Sequence, residues 1–254
     1  MPTSLRTADT CNFPGKETQE IKEIMQAERL RDELERVGYV TSHDLQSPLR
    51  VILSCCDELA NHPVLASDAT VGETVKLLAS EAARMKIMMQ GLLEYVRLET
   101  FVTANSELDS NEIVAAALAT LEEDIRVSGA VIQYEGLPKI LGHRGRITRL
   151  FAFLLDNALK FHGSQPPVIR ISARPVGNRW EFCVADNGIG IDEEHQDIIF
   201  ALYQRLHTGE AYPGHGIGLA LARKIVEAHG GMLRVESTPK QGSRFYFTLP
   251  MAKA

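Results

Sequence analysis

Seven apolar residues between Val75 and Val96 recur at spacings of 3-4-3-4-3-4: Val75, Leu78, Ala82, Met85, Met89, Leu92 and Val96. That period places about one apolar side chain per turn along a single helical face. An upstream run has the same texture. Leu30, Leu34, Val37, Thr41, Leu45, Pro48 and Ile52 are spaced 4-3-4-4-3-4. Between the runs, NHPVLASDAT at 61–70 carries turn chemistry. The pattern predicts an antiparallel helical hairpin. Each helix has one apolar stripe, so one hairpin leaves a seam open. Either the seam packs on the rest of the same chain, or two hairpins close it as a four-helix bundle. The second solution makes a homodimer the expectation.

Residues 1–17 are polar, rich in turn formers and without periodicity, which predicts a disordered leader. The hairpin, with a coiled-coil entry, is expected over 18–103. Beyond it the texture changes. Segments 109–127, 143–161 and 217–229 predict helices, the second through Ile147, Leu150, Phe151, Leu154 and Leu155. VIRISAR (168–174) and RWEFCVAD (179–186) alternate as strands, and strands at 232–237 and 243–249 flank the turn PKQG. Residues 104–254 are therefore expected to form a second domain. The fold class is α+β, with helices on one face of a mixed sheet.

Charge and composition exclude several functions. The net charge of −6 opposes a non-specific nucleic-acid binder. No apolar run approaches the roughly 18 residues of a membrane span, and the first residues lack the apolar core of a signal peptide. Cys11, Cys55, Cys56 and Cys183 form no CxxC pair. They are expected to be reduced thiols in a cytoplasmic protein that does not enter the membrane.

Within TSHDLQSPLR (41–50), His43 lies opposite the stripe formed by positions 41, 45, 48 and 52, so it is expected to face solvent. Asp44 is its neighbour, and a carboxylate beside an imidazole can orient the ring and take its proton. An exposed histidine on a helix is ordinarily idle. Pro48, costly inside a helix at about 3 kcal/mol, asks for an offsetting reason.

Three C-terminal segments have the chemistry of a nucleotide site. In LLDNALKFHG (154–163), Asn157 and Lys160 share a helical face. An amide oxygen suits Mg²⁺, an ammonium suits phosphate, and Phe161 can cover a base. In VADNGIGID (184–192), Asp186 ends a strand and Gly188 and Gly190 allow a sharp turn. In YPGHGIGLALARKIVEAHGG (212–231), glycines including Gly216 and Gly218 lead into a helix N-terminus. No GxxxxGK[ST] is present, so this is not a P-loop. IFALYQRLHTGEAYP (199–213) is long enough for a lid and offers Arg205 to phosphate.

Each segment alone is modest evidence. Together, in this order behind the hairpin, they resemble the catalytic core of two-component sensor histidine kinases, in the phytochrome-like branch. SHDLQSPLR resembles the phospho-acceptor box, LLDNALKF the N box, DNGIGID the first glycine box, IFALYQRLH the phenylalanine box, and GHGIGLALARKIVEAHGG the second glycine box. GSRFYFTLP resembles the last strand.

The resemblance implies a dimeric four-helix bundle followed by an α/β sandwich ATP-binding domain of Bergerat (GHKL) type. It implies that His43 accepts the phosphoryl group with Asp44 as base. Asn157 would hold Mg²⁺, Lys160 and Arg205 would meet the phosphates of ATP, and Phe161 would lie near the adenine. Asp186 would read the adenine amino group, and Gly188, Gly190, Gly216 and Gly218 would shape pocket and lid. The implied partner is a response regulator receiver domain, which takes the group on an aspartate. Phe153 and His215 depart from the family pattern, and Phe153 favours the alternative of a non-catalytic docking module. No input domain is evident, so a separate sensor protein acting on the N-terminal coiled coil is expected, with a fragment of a larger sensor as the other reading.

Overall fold

The computed structural model describes residues 48–62, 69–100, 106–134, 136–206, 212 and 215–252. His43, Asp44, the leader and the coiled-coil entry lie outside the described residues. Residues 48–60 are helical (α1), and helix α2 runs over Ala69–Thr100. The two helices bury Leu49 and Cys56, and Val75 and Ala82, each pair seven residues apart. Ile52, Leu59, Leu78, Met85 and Leu92 remain exposed by 37% or more. The expected α2 stripe thus splits, with Val75 and Ala82 buried and Leu78, Met85 and Leu92 left as an open apolar seam. In α1 the stripe positions Pro48 and Ile52 are both exposed, and the buried Leu49 and Cys56 lie off the expected stripe.

The remaining elements follow in order: β1 (Ser106–Asp109), α3 (Ser110–Ala119), α4 (Glu122–Ser128), β2 (Val131–Tyr134), β3 (Lys139–Gly142), α5 (Arg144–Lys160), β4 (Val168–Val176), β5 (Arg179–Ala185), α6 (Gly218–Ala228), β6 (Leu233–Ser237) and β7 (Ser243–Pro250). The main sheet has the order β2-β4-β5-β7-β6. Strands β2 and β4 pair in parallel and the other pairs are antiparallel. A separate two-stranded ribbon joins β1 and β3.

Alternation decides which face of the sheet is covered. Ile169, Ile171, Phe182, Val184, Phe245, Phe247 and Leu249 all point inward and are at most 4% exposed. The opposite face carries Arg174, Glu181, Arg234 and Glu236, joined in ion pairs. Helix α5 lays Ile147, Leu150, Phe151, Leu154 and Leu155 on the apolar face, all fully buried. There Phe151 meets Phe182 and Phe247 edge-on, at 5.7 and 5.4 Å between ring centres. Burying a Phe side chain contributes about 1.5–3 kcal/mol, and edge-on ring pairs add to that. The result is the expected two-layer α/β sandwich.

The expected helix 109–127 is two helices. Thr120 turns its hydroxyl back to the Ala117 carbonyl at 2.7 Å, and its own N–H also goes to Ala117. A side chain that competes for backbone carbonyls favours a stop. Asp109 caps α3 by accepting the Asn111 N–H at 2.8 Å. His143 caps α5 by accepting the Arg146 N–H through Nδ1. The His143 cap fixes where α5 begins, and so where its last turn delivers Asn157 and Lys160.

Candidate nucleotide site

One end of α5, the loop after β5, the segment before α6 and one face of α2 enclose a cavity of about 380 Å³. Asn157, Lys160 and Phe161 reach it from the last turn of α5. Asp186 and Gly190 line it from the loop after β5, and Arg205, Gly216 and Gly218 from the segment before α6. Gly188 is not among its lining residues. It acts one step back, donating its N–H to Asp186 Oδ1 at 2.8 Å.

Asp186 is the polar floor of the cavity. Its Oδ1 accepts a second N–H, from Ser243 at 3.1 Å, which pins the carboxylate to β7. Both donors engage the same oxygen, which leaves Oδ2 for a donor on a ligand. Burial pushes the Asp186 carboxyl above its ordinary value, and the two backbone N–H groups oppose that rise. The loop that carries it needs glycine at 190. There φ is 73°, and a Cβ would lie 2.0 Å from the Thr238 carbonyl oxygen. Gly216 is under a similar constraint, with φ of 68° and the Gln204 carbonyl 2.6 Å from any Cβ.

The opposite pole is cationic. Lys160 Nζ lies 2.7 Å from Asp156 Oδ2, one turn earlier on α5. This pair is one-third exposed, so it is weakly held and can exchange for a phosphate. Burial holds the His215 imidazole below its ordinary value, and Arg205, Arg84 and Lys160 depress it further. Arg205 and Lys160 both line the cavity, and two cations in one cavity wall favour an anion. Arg205 is steadied by donating to the Tyr212 carbonyl at 3.2 Å. The Tyr212 ring stacks on Phe161 at 5.2 Å and 24°.

Among the described residues no cluster of three or more His, Cys, Asp or Glu side chains could hold a metal by itself. The donor set fits a Mg²⁺ that brings most of its oxygens with it. Such an ion takes one or two protein oxygens, for which the Asn157 amide in the cavity wall would serve, and completes its shell from phosphates and water. Phe153 lines the same cavity and packs beside Gly218, within 3.3 Å of where a Cβ would stand.

Residues 142–253 match the family of histidine kinase-, DNA gyrase B-, and HSP90-like ATPases. Phytochrome-like protein Cph1 of Synechocystis is 33% identical over 94% of this chain, and cyanobacterial phytochrome A of Nostoc is 36% identical over 88%. The chain belongs to the two-component histidine kinase catalytic cores. It spans 32% and 29% of the length of those two relatives. The core also shares its fold with solved histidine kinases. Full-length ShkA in complex with AMPPNP aligns with a TM-score of 0.67 at 23% identity, over 86% of this chain and 46% of that one. ThkA in complex with the response regulator protein TrrA aligns at 0.61 and 22%, over 92% of this chain and 67% of that one.

Sequence reasoning missed the contribution of the hairpin to this cavity. Ile87, Gln90, Gly91 and Glu94 of α2 form one wall. A glycine inside a strong helical stripe was the available signal. Tyr212 was also missed as a stacking partner, although it stands two residues before the second glycine box.

Proposed function

We propose that this chain is an ATP-dependent protein-histidine kinase that phosphorylates its own His43 and passes the group to an aspartate of a response regulator. The observation that carries the reading is the single cavity into which Asn157, Lys160, Asp186 and Arg205 converge from three separate segments. One end offers a fixed carboxylate for a base amino group, and the other offers cations for phosphates.

The roles follow from that polarity. Asp186 Oδ2 accepts the adenine amino group, and Phe161 lies against the ring. Asn157 would hold Mg²⁺ beside the phosphate chain, whose charge Lys160 and Arg205 neutralise. Gly188, Gly190, Gly216 and Gly218 let the backbone approach the ligand. The His43 imidazole then attacks the γ-phosphorus in line. A P–N bond forms, the P–O bond to ADP breaks, and Asp44 takes the imidazole proton. Positioning and charge neutralisation supply most of the rate. The phosphoimidazole next passes its group to a receiver-domain carboxylate, which regenerates the imidazole.

The apolar positions left exposed on α1 and α2 support closure of the hairpin by a second copy, giving the homodimer. The reading divides the chain into a leader (1–17), a phosphotransfer hairpin (18–103) and an ATP-binding domain (104–254). It places the protein in the cytoplasm. No helix among the described residues is long and apolar enough to cross a membrane.

A second reading, a docking module without catalysis, is favoured by Phe153, whose ring occupies cavity wall where a polar group would serve an ion. A Mg²⁺-dependent ATP titration separates the two readings. Binding followed by an acid-labile, base-stable label from γ-labelled ATP supports the kinase. Absence of ATP binding, and with it of any label, supports the module.

A further inference from the structure

Helix α2 does more than wall the cavity, because one of its faces is bolted to the ATP-binding domain. Gly91 sits in the helix interior, where glycine weakens a helix. A Cβ there would fall 2.6 Å from Ile217 Cδ1, so the missing side chain is what allows Ile217 to seat against the helix. Three residues earlier, the Met88 carbonyl accepts the Tyr203 hydroxyl at 3.0 Å. Tyr203 holds a φ of 63°, and its N–H is tied to the Gly216 carbonyl at 2.8 Å. A bulky residue keeps such a conformation when contacts on both sides over-determine it. Three residues after Gly91, Glu94 forms an ion pair with Arg149 of α5. Lys224 of α6 lies 5.0 Å over the next ring, Tyr95.

The charges on this face give the docking a ligand dependence. Glu94 and Arg149 both line the nucleotide cavity. The Glu94 side chain is 23% exposed, and the burial that raises its pKa is opposed by Arg149 alone. Arg149 stands eight residues before Asn157, on the face of α5 that also carries Phe153 and Lys160. A phosphate chain in the cavity is repelled by Glu94 and attracted by Arg149. A guanidinium is also a better fork for phosphate than for a single carboxylate oxygen.

We propose that the Glu94–Arg149 pair is a phosphate-sensitive latch between the hairpin and the ATP-binding domain. Phosphates of a bound nucleotide take Arg149, Glu94 is left as an unpaired like charge beside them, and α2 leaves its seat at Ile217. This rests on the nucleotide reading given above. Linkage makes the effect reciprocal: docking weakens phosphate binding by the same factor by which phosphate weakens docking.

The test uses the full chain, titrated by calorimetry with ATP, ADP and adenosine in the presence of Mg²⁺, and small-angle scattering with and without each. Glu94→Gln keeps the shape and removes the charge. It should tighten ATP by about two- to five-fold, the range expected from loss of one partly exposed pair, and leave adenosine unchanged. ATP should raise the radius of gyration of the wild type and adenosine should not. Gly91→Ala, which fills the seat without altering charge, should start from the larger radius. Equal ATP affinity in wild type and Glu94→Gln, or a radius indifferent to ATP, overturns the latch while the nucleotide reading stands. Failure of all three probes to bind the wild type overturns the nucleotide reading, and the latch with it.

Discussion

Ser243 donates its backbone N–H to Asp186 Oδ1 at 3.1 Å, across 57 residues of chain, and so anchors the cavity floor to the last strand. The carboxylate is held in place but poorly solvated. Its raised pKa has a definite sign. An acid whose folded pKa exceeds its unfolded value adds stability that is complete below the ordinary value of 3.8 and is lost as pH rises through the folded value. At neutral pH the buried Asp186 therefore costs stability. Asp186→Asn keeps an oxygen for both N–H donors and removes the charge. It should raise Tm by a few degrees while weakening ATP binding about ten- to a hundred-fold, because the amide presents N–H to the adenine amino group. Thermal melts and an ATP titration read the two opposite signs.

Lys160 should behave in the reverse manner. Its pair with Asp156 is one-third exposed, so it adds little to folding. Lys160→Ala should shift unfolding free energy by no more than about 0.5 kcal/mol. The same change should weaken ATP about tenfold and adenosine hardly at all, as measured by competitive titration.

Gly190 tests the backbone. Any side chain there must tolerate a φ of 73° and a carbonyl oxygen 2.0 Å from its Cβ. Gly190→Ala should cost more than about 2 kcal/mol in urea unfolding and should disturb the Asp186 loop. A cost near zero would mean that this turn does not have the described geometry.

His229 links stability to pH from outside the cavity. It is 7% exposed, donates Nδ1–H to the Ile225 carbonyl at 2.7 Å, and accepts the His143 N–H at Nε2. This fixes the neutral tautomer. Burial lowers its pKa, and Arg146, His143 and Arg179 push the same way. A base with a depressed folded pKa gives stability that is present above its ordinary value of 6.5 and is lost as pH falls from there toward the folded value. Denaturant midpoints should therefore decline below about pH 6.5. His229→Gln should flatten that decline at the expense of stability at pH 8.

Much of this arrangement could be read from residue patterns. The apolar spacing from Ile147 to Leu155 is the buried face of α5, and the alternation in RWEFCVAD and GSRFYFTLP is the covered face of the sheet. Asn157, Lys160, Asp186 and Arg205 meet in one cavity because each ends or flanks a strongly patterned element. What escaped has physical reasons. The break after Ala119 depends on one threonine hydroxyl, which helix periodicity does not register. Strands β1 and β3 have four residues each, too few for alternation to show. The seat at Gly91 and the Glu94–Arg149 pair are tertiary contacts between distant segments, and nothing local to α2 announces a partner.

The central claim is that the cavity delivers a phosphoryl group to His43. Wild-type chain and His43→Gln should be incubated with γ-labelled ATP and Mg²⁺, with ATP binding measured on the same samples. The account predicts an acid-labile, base-stable label on the wild type, mapped to the peptide containing His43, and none on His43→Gln at unchanged ATP affinity. Equal labelling of the two proteins, or no label on a wild type that binds ATP, would contradict it.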